Sequence, residues 1–231
     1  MNLNKDKYNF DDLIDVVKEL RGENGCEWDK AQTHESLLKY LIEESYEYIE
    51  ATTQNNPEKQ ADELGDVLLQ IVMSAQIGSE KGTFDISDVT DAICKKMIYR
   101  HPHVFSDTKV ENVDDILKNW DILKKKEQNF KSDKDVLNSI SKDMPALMRA
   151  QKVIQKIKKF EKNKKNTAFN KESIDKYYKM LDNDVELSSE NVKKDVLGDA
   201  LMSLIYIACE NEIPLEMCLN EHIDKLIERF N

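Results

Sequence analysis

Two short acidic runs carry the residues most able to do chemistry. LIEESYEYIEA (41–51) contains Glu43, Glu44 and Glu47, and ELGD (63–66) contains Glu63 and Asp66. On a helix, Glu43 and Glu47 stand at i,i+4 and Glu44 and Glu47 at i,i+3. All three then share one face, with neighbouring Cβ atoms roughly 5–6 Å apart. Glu63 and Asp66 are again i,i+3. They open the most apolar stretch of the chain, where a bare carboxylate is costly to desolvate. Five carboxylates cannot share one partly buried site as free anions; some protonate, or a cation joins them. Oxygen-only ligands point to Mg²⁺ or Mn²⁺, the hard cations that also bridge phosphates. A solvated acidic helix face is the competing reading, since Asp and Glu number 45 of 231 residues. It loses ground once EExxE is paired with ExxD on an adjacent apolar helix. A di-iron carboxylate bundle calls for ExxH on two of its helices, and neither acidic motif carries one.

The elements that must position these residues are legible as helices. Residues 34–54 form one, with Leu38, Ile42, Ser45 and Ile49 as a stripe at i, i+4, i+7, i+11. Residues 58–80 form the next, with Asn56 as N-cap and Pro57 at its first position. Between Val67 and Ile77 it is apolar almost all round, which predicts a central, buried helix. A short turn at 55–57 makes the two antiparallel neighbours, so the acidic faces meet at the same height. Before them, residues 10–21 form a helix ended by Gly22 and Gly25, followed by the loop ENGCEWDKAQT. After them, Gly78 and Gly82 close the second acidic helix. Further helices are expected over 86–100 (stopped by HPH), 112–128, 145–160, 171–182, 190–211 and 214–229, with a polar linker over 129–143. ELGDVLLQIVMSA (63–75) recurs as VLGDALMSLIYIA (196–208), and KKMIYR (95–100) is echoed by DKLIER (224–229). These repeats predict two related helical lobes in tandem; chance likeness between two apolar helices is the alternative.

Composition agrees. Charged residues are 34% and hydrophobic ones 40% of the chain, with six Gly and four Pro. That is the balance of amphipathic helices and holds too few turn residues for many short strands. The formal net charge of −11 argues against a grip on nucleic acid, which calls for a basic surplus. Cys26, Cys94, Cys209 and Cys218 show no zinc spacing and no CxxC pair, as suits a reducing cytosol. The start lacks an apolar signal core, and no run is long enough to span a membrane. The expected location is cytoplasmic, with no membrane partner.

Taken together, the sequence resembles the MazG family of all-α nucleoside triphosphate pyrophosphohydrolases. The resemblance rests on EExxE (Glu43, Glu44, Glu47) and ExxD (Glu63, Asp66), with ENGCEWDKAQT (23–33), RHPHVF (100–105) and PALMRAQK (145–152) around them. It implies an all-α fold of tandem lobes, with a four-helix-bundle core completed by homodimerisation. It implies Mg²⁺ (or Mn²⁺) on Glu44, Glu47, Glu63 and Asp66, with Glu43 and Glu44 as the catalytic acids. Glu43 would position a ligand or the attacking water. Water would attack the α-phosphorus of a nucleoside triphosphate, giving the monophosphate and pyrophosphate, in a house-cleaning role. Lys96 and Arg100, i,i+4 on one face, are implied to hold the outer phosphates; favourable basic residues at a helix C-terminus are the plainer reading. Trp120 is implied to stack on the base, with core packing as an equal alternative. Trp28, Asp29 and Lys30 are expected to shape the mouth of the site. His101 and His103 are read as capping and packing residues.

The expected organisation is a catalytic lobe over 1–130, a linker over 131–144 and a degenerate second lobe over 145–231. In the second lobe KESIDKYYKMLD (171–182) has no EExxE spacing, and Val196 stands where ExxD needs Glu, leaving Asp199 alone. A silent paralogue of the same fold, kept for binding or assembly, is the alternative function. The run from Lys152 to Lys165 holds seven lysines; without interleaved aromatics it reads as a solvated face rather than a nucleic-acid contact.

Overall fold

The computed structural model describes residues 5–160, 171–182 and 190–230. It is all-helical, with no strand among the described residues. The elements are α1 (Phe10–Arg21), α2 (Glu27–Lys30), α3 (His34–Thr53), α4 (Pro57–Glu80), α5 (Ile86–Arg100), α6 (Pro102–Phe105), α7 (Val113–Glu127), α8 (Asp133–Asn138), α9 (Ala146–Phe160), α10 (Lys171–Asp182), α11 (Glu190–Glu210) and α12 (Leu215–Glu228). They divide into two compact units, Met1–Trp120 and Asp121–Asn231.

Local chemistry fixes where these helices begin. Asn9, Thr33, Asp85 and Ser132 each accept from the N3 backbone N–H, and the N3 side chain answers to the cap, four complete capping boxes. Asn56 accepts from Lys59 N at 3.1 Å, and Pro57 follows at N1. Asn55, at φ 51°, makes the tight turn between α3 and α4, a left-handed position that Asn tolerates. The expected loop at 23–33 contains the single-turn helix α2, and the expected linker at 129–143 contains α8. Both are too short for an apolar period to mark them.

In the first unit α4 packs on α1, α3 and α5. Its core is Val17, Leu37, Val72, Met73 and Ile77, with Leu13, Ile14, Tyr40, Leu69 and Ile86 against it. Two expectations need correction. Gly78 does not close α4: it lies inside the helix, buried, where an added Cβ would stand 2.6 Å from the Phe84 carbonyl oxygen. The stop is Lys81 with Gly82 at φ +65°. Nor is α4 buried all round, since Leu64 and Ile71 stay exposed. On α3 the stripe Leu38, Ile42 and Ile49 also faces outward rather than into this core.

In the second unit α11 packs on α9 and α10, and α9 on α8 and α12. The Gln151 side chain donates to Ile213 O (2.7 Å) and accepts from Leu215 N (2.9 Å), which fixes the turn between α11 and α12. The burial pattern of α4 recurs on α11. Glu63, Val72 and Ala75 are buried, as are Val196, Ile205 and Ala208; Leu64 and Ile71 are exposed, as are Leu197 and Leu204. Three lysines of the run meet acids of their own unit: Lys156 (3.2 Å) and Lys159 (2.5 Å) reach Asp121, and Lys158 pairs with Glu210. Lys162, Lys164 and Lys165 lie outside the described residues.

Candidate metal and nucleotide site

Antiparallel pairing of α3 and α4 builds the site, and polar contacts fix its register at both ends. Lys59 on α4 reaches Glu50 on α3 at 3.4 Å, and His34 Nδ1 on α3 meets Ser74 Oγ on α4 at 2.9 Å. Between these ties the acidic residues meet. Carboxylate oxygens of Glu44, Glu63 and Asp66 lie within 4.8 Å of one another. Glu63 is 6% exposed and pairs with Lys59 at 3.9 Å.

Electrostatics of the trio follow from this crowding. Burial pushes the Glu44 carboxyl up, and the charges of Asp66, Glu47, Glu63 and Glu43 push it further. Burial likewise raises Glu63, joined by Glu47; Lys59 offsets part of this, and Asp62 and Asp66 add to it. These are the surroundings of carboxylates that need a countercharge. The donor set fits a hard divalent cation. Glu44, Glu63 and Asp66 would hold it through carboxylate oxygens, the donors that Mg²⁺ prefers.

The sequence-predicted residues are not all in one place. Glu47 stands outside the trio and is exposed, yet close enough to act on both Glu44 and Glu63. Glu43 is exposed and acts on Glu44 alone among the shifted groups. On α5, Lys96 is half-buried, whereas Arg100 is buried at the helix end. Trp120 is half-exposed at 6.5 Å from the His101 ring. His101 Nδ1 stands 2.7 Å from Met97 O, in the capping role expected of it. The Trp28 ring lies exposed and edge-on to Tyr40 at 5.8 Å; Tyr40 is one turn before Glu44 on α3.

Sequence reading missed the clamp that holds the loop bearing Trp28. Arg21 ends α1 and makes a two-pronged pair with Glu80 (2.8 and 2.7 Å). Its other amine donates to the carbonyls of Asp29 and Gln32. Gly25 completes the fit, because a Cβ there would sit 2.2 Å from Leu20 O.

With this geometry in place, known proteins give the family. Residues 32–105 match the model of the MazG nucleotide pyrophosphohydrolase domain. That segment contains all five carboxylates. A Thermotoga maritima protein named nucleoside triphosphate pyrophosphohydrolase/pyrophosphatase MazG is 34% identical over 96% of this chain and 84% of its own length. The chain belongs to the MazG family. An Escherichia coli nucleoside triphosphate pyrophosphohydrolase is also 34% identical, over 96% of this chain and 85% of its own. The Bacillus subtilis protein YabN is 48% identical over 63% of this chain, a match that spans 30% of YabN. A crystal structure of a MazG-related protein from Thermotoga maritima covers 50% of this chain and 98% of its own, at TM-score 0.44 and 25% identity. MazG-family enzymes act on phosphoric anhydrides, and no helix among the described residues is long and apolar enough to cross a membrane.

Proposed function

We propose that this chain hydrolyses nucleoside triphosphates to the monophosphate and pyrophosphate, at the acidic seam between α3 and α4. The convergence of Glu44, Glu63 and Asp66 within 4.8 Å carries the reading. A negative site accepts a negative substrate only through a cation, and the oxygen-only set favours Mg²⁺, with Mn²⁺ as substitute. Glu44, Glu63 and Asp66 hold it, and Glu47 joins from the same face of α3. When bound, the cation supplies charge neutralisation of the triphosphate and acidifies water. Glu43, exposed beside Glu44, positions the attacking water and takes its proton. Attack at the α-phosphorus forms the new P–O bond there, breaks the bond to the bridging oxygen, and pyrophosphate leaves.

Lys96 and Arg100 on α5 are assigned to the outer phosphates, and Trp120 to the base. Dimerisation of two chains would cover the outward apolar residues Leu38, Ile42, Leu64 and Ile71, which favours a homodimer over a monomer. A cytoplasmic house-cleaning role accords with the family. Water labelled with ¹⁸O tests the chemistry: attack at the α-phosphorus places the label in the monophosphate. Label in pyrophosphate, or release of single phosphate, overturns it.

In the second unit Asp199 has no acidic partner at Val196. Burial first, then the nearby Asp199 charge, pushes the Tyr177 phenol up. A single carboxylate supplies too few oxygens for a hard divalent cation, so the reaction is assigned to the first unit alone.

A further inference from the structure

Among the described residues, two buried side-chain oxygens have no hydrogen-bond partner, Gln70 Oε1 and Glu216 Oε2. Gln70 lies on α4 at helical spacing from the acidic residues of that helix. It follows Asp66 by four residues and Glu63 by seven, so the three share one face of α4. Helical Cα–Cβ bonds tilt toward the N-terminus, so Gln70 leans over the turn that bears Asp66. Farther along the same face, Ser74 is satisfied by His34 at 2.9 Å. In this row Gln70 Oε1 is the buried side-chain oxygen left without a hydrogen-bond partner. Ionised carboxylates cannot satisfy it, because they only accept.

The internal repeat supplies an independent comparison. Ser203 stands on α11 where Gln70 stands on α4, as Val196 stands for Glu63 and Asp199 for Asp66. Ser203 is 0% exposed, and its Oγ donates to Asp199 O at 2.9 Å. The unit without the acidic set therefore fills this position with a self-satisfied side chain. The unit with the set keeps a buried amide oxygen in want of a donor. A purely packing role explains Ser203 but not Gln70, since an unmade buried hydrogen bond disfavours folding.

We propose that Gln70 is a positioning residue of the carboxylate site, whose amide oxygen accepts a hydrogen bond from water completing the coordination of a cation on Glu44, Glu63 and Asp66. The proposal rests on the cation reading above. Magnesium-type cations bound by a few carboxylates keep several waters, and outer partners of this kind commonly govern affinity by 10–100-fold.

The test is Mn²⁺ titration of the full chain without nucleotide, followed by electron paramagnetic resonance of the free ion, with thermal melts of the metal-free proteins. Gln70→Leu is expected to bind Mn²⁺ about 10- to 100-fold more weakly, while its metal-free melting temperature equals or exceeds that of the parent. Gln70→Glu, which keeps an acceptor, is expected to retain binding. Ser203→Ala is expected to leave Mn²⁺ binding unchanged. Binding by Gln70→Leu within twofold of the parent overturns the proposal, as does weaker binding matched by a fall in metal-free stability. Asp66→Asn separates the two readings. If it abolishes Mn²⁺ binding and Gln70→Leu does not, the site stands and the role of Gln70 falls. If the parent binds no Mn²⁺, both fall.

Discussion

Burial and neighbouring carboxylates hold Glu44 and Glu63 above the usual carboxylate range. Each binds a proton more tightly in the folded chain than in the unfolded one. That contribution is fully present below the ordinary Glu value and is lost as pH rises through the raised one. A divalent cation reverses the balance, because it needs ionised oxygens. The rise in melting temperature on adding Mg²⁺ is therefore expected to be largest near about pH 8 and to fade as pH falls toward the raised values. A rise equal at both ends of that range would contradict the assignment. Glu63→Gln should stabilise the metal-free chain, by removing a buried charge among like charges, and should remove the Mg²⁺ response; calorimetry with and without Mg²⁺ checks both. At this scale the acids were legible because i,i+3 and i,i+4 spacing maps directly onto a helix face. Gln70 was not, because one amide within an apolar run looks like any polar residue at a surface. Its meaning lies in an unmade hydrogen bond, which a sequence does not display.

At the scale of elements, the helices were legible where side chains act on their own backbone. Asn56 announces the start of α4 because the cap is satisfied within its own turn. Gly78 misled, because its lack of a side chain answers to Phe84 beyond the helix end. Gly78→Ala is accordingly expected to cost about 1–3 kcal/mol through overpacking. Gly198→Ala, in a helix with nothing within 4 Å of the added Cβ, is expected to gain up to about 1 kcal/mol. Denaturant unfolding of the two variants checks the contrast, and equal effects would contradict it. Arg21 was missed for a related reason: its partners Glu80, Asp29 and Gln32 come together only once α1 and α4 have packed.

For the whole molecule, the all-helical class was legible, while the outward faces were not. An apolar stripe reads alike whether it meets the chain's own core or another surface. Leu38, Ile42 and Ile49 form a stripe of helical period and are exposed. Under the dimer reading, the double variant Ile42→Asp/Ile71→Asp is expected to sediment as a helical monomer where the parent sediments as a dimer. A parent that is already monomeric would contradict that reading. Assigning the reaction to the first unit makes its own prediction, that Asp199→Asn leaves both the number of Mn²⁺ ions bound and the rate of pyrophosphate release unchanged.

The central claim is that Glu44, Glu63 and Asp66 form one cation-dependent active site. The most direct measurement is pyrophosphate release from a panel of nucleoside triphosphates, with and without Mg²⁺, by the parent chain and Asp66→Asn. The predicted result is release by the parent only with Mg²⁺, reduced by about 100-fold or more in Asp66→Asn, since a direct ligand matters at least as much as its outer partners. Release that survives in Asp66→Asn, or in the absence of divalent cation, would contradict the account.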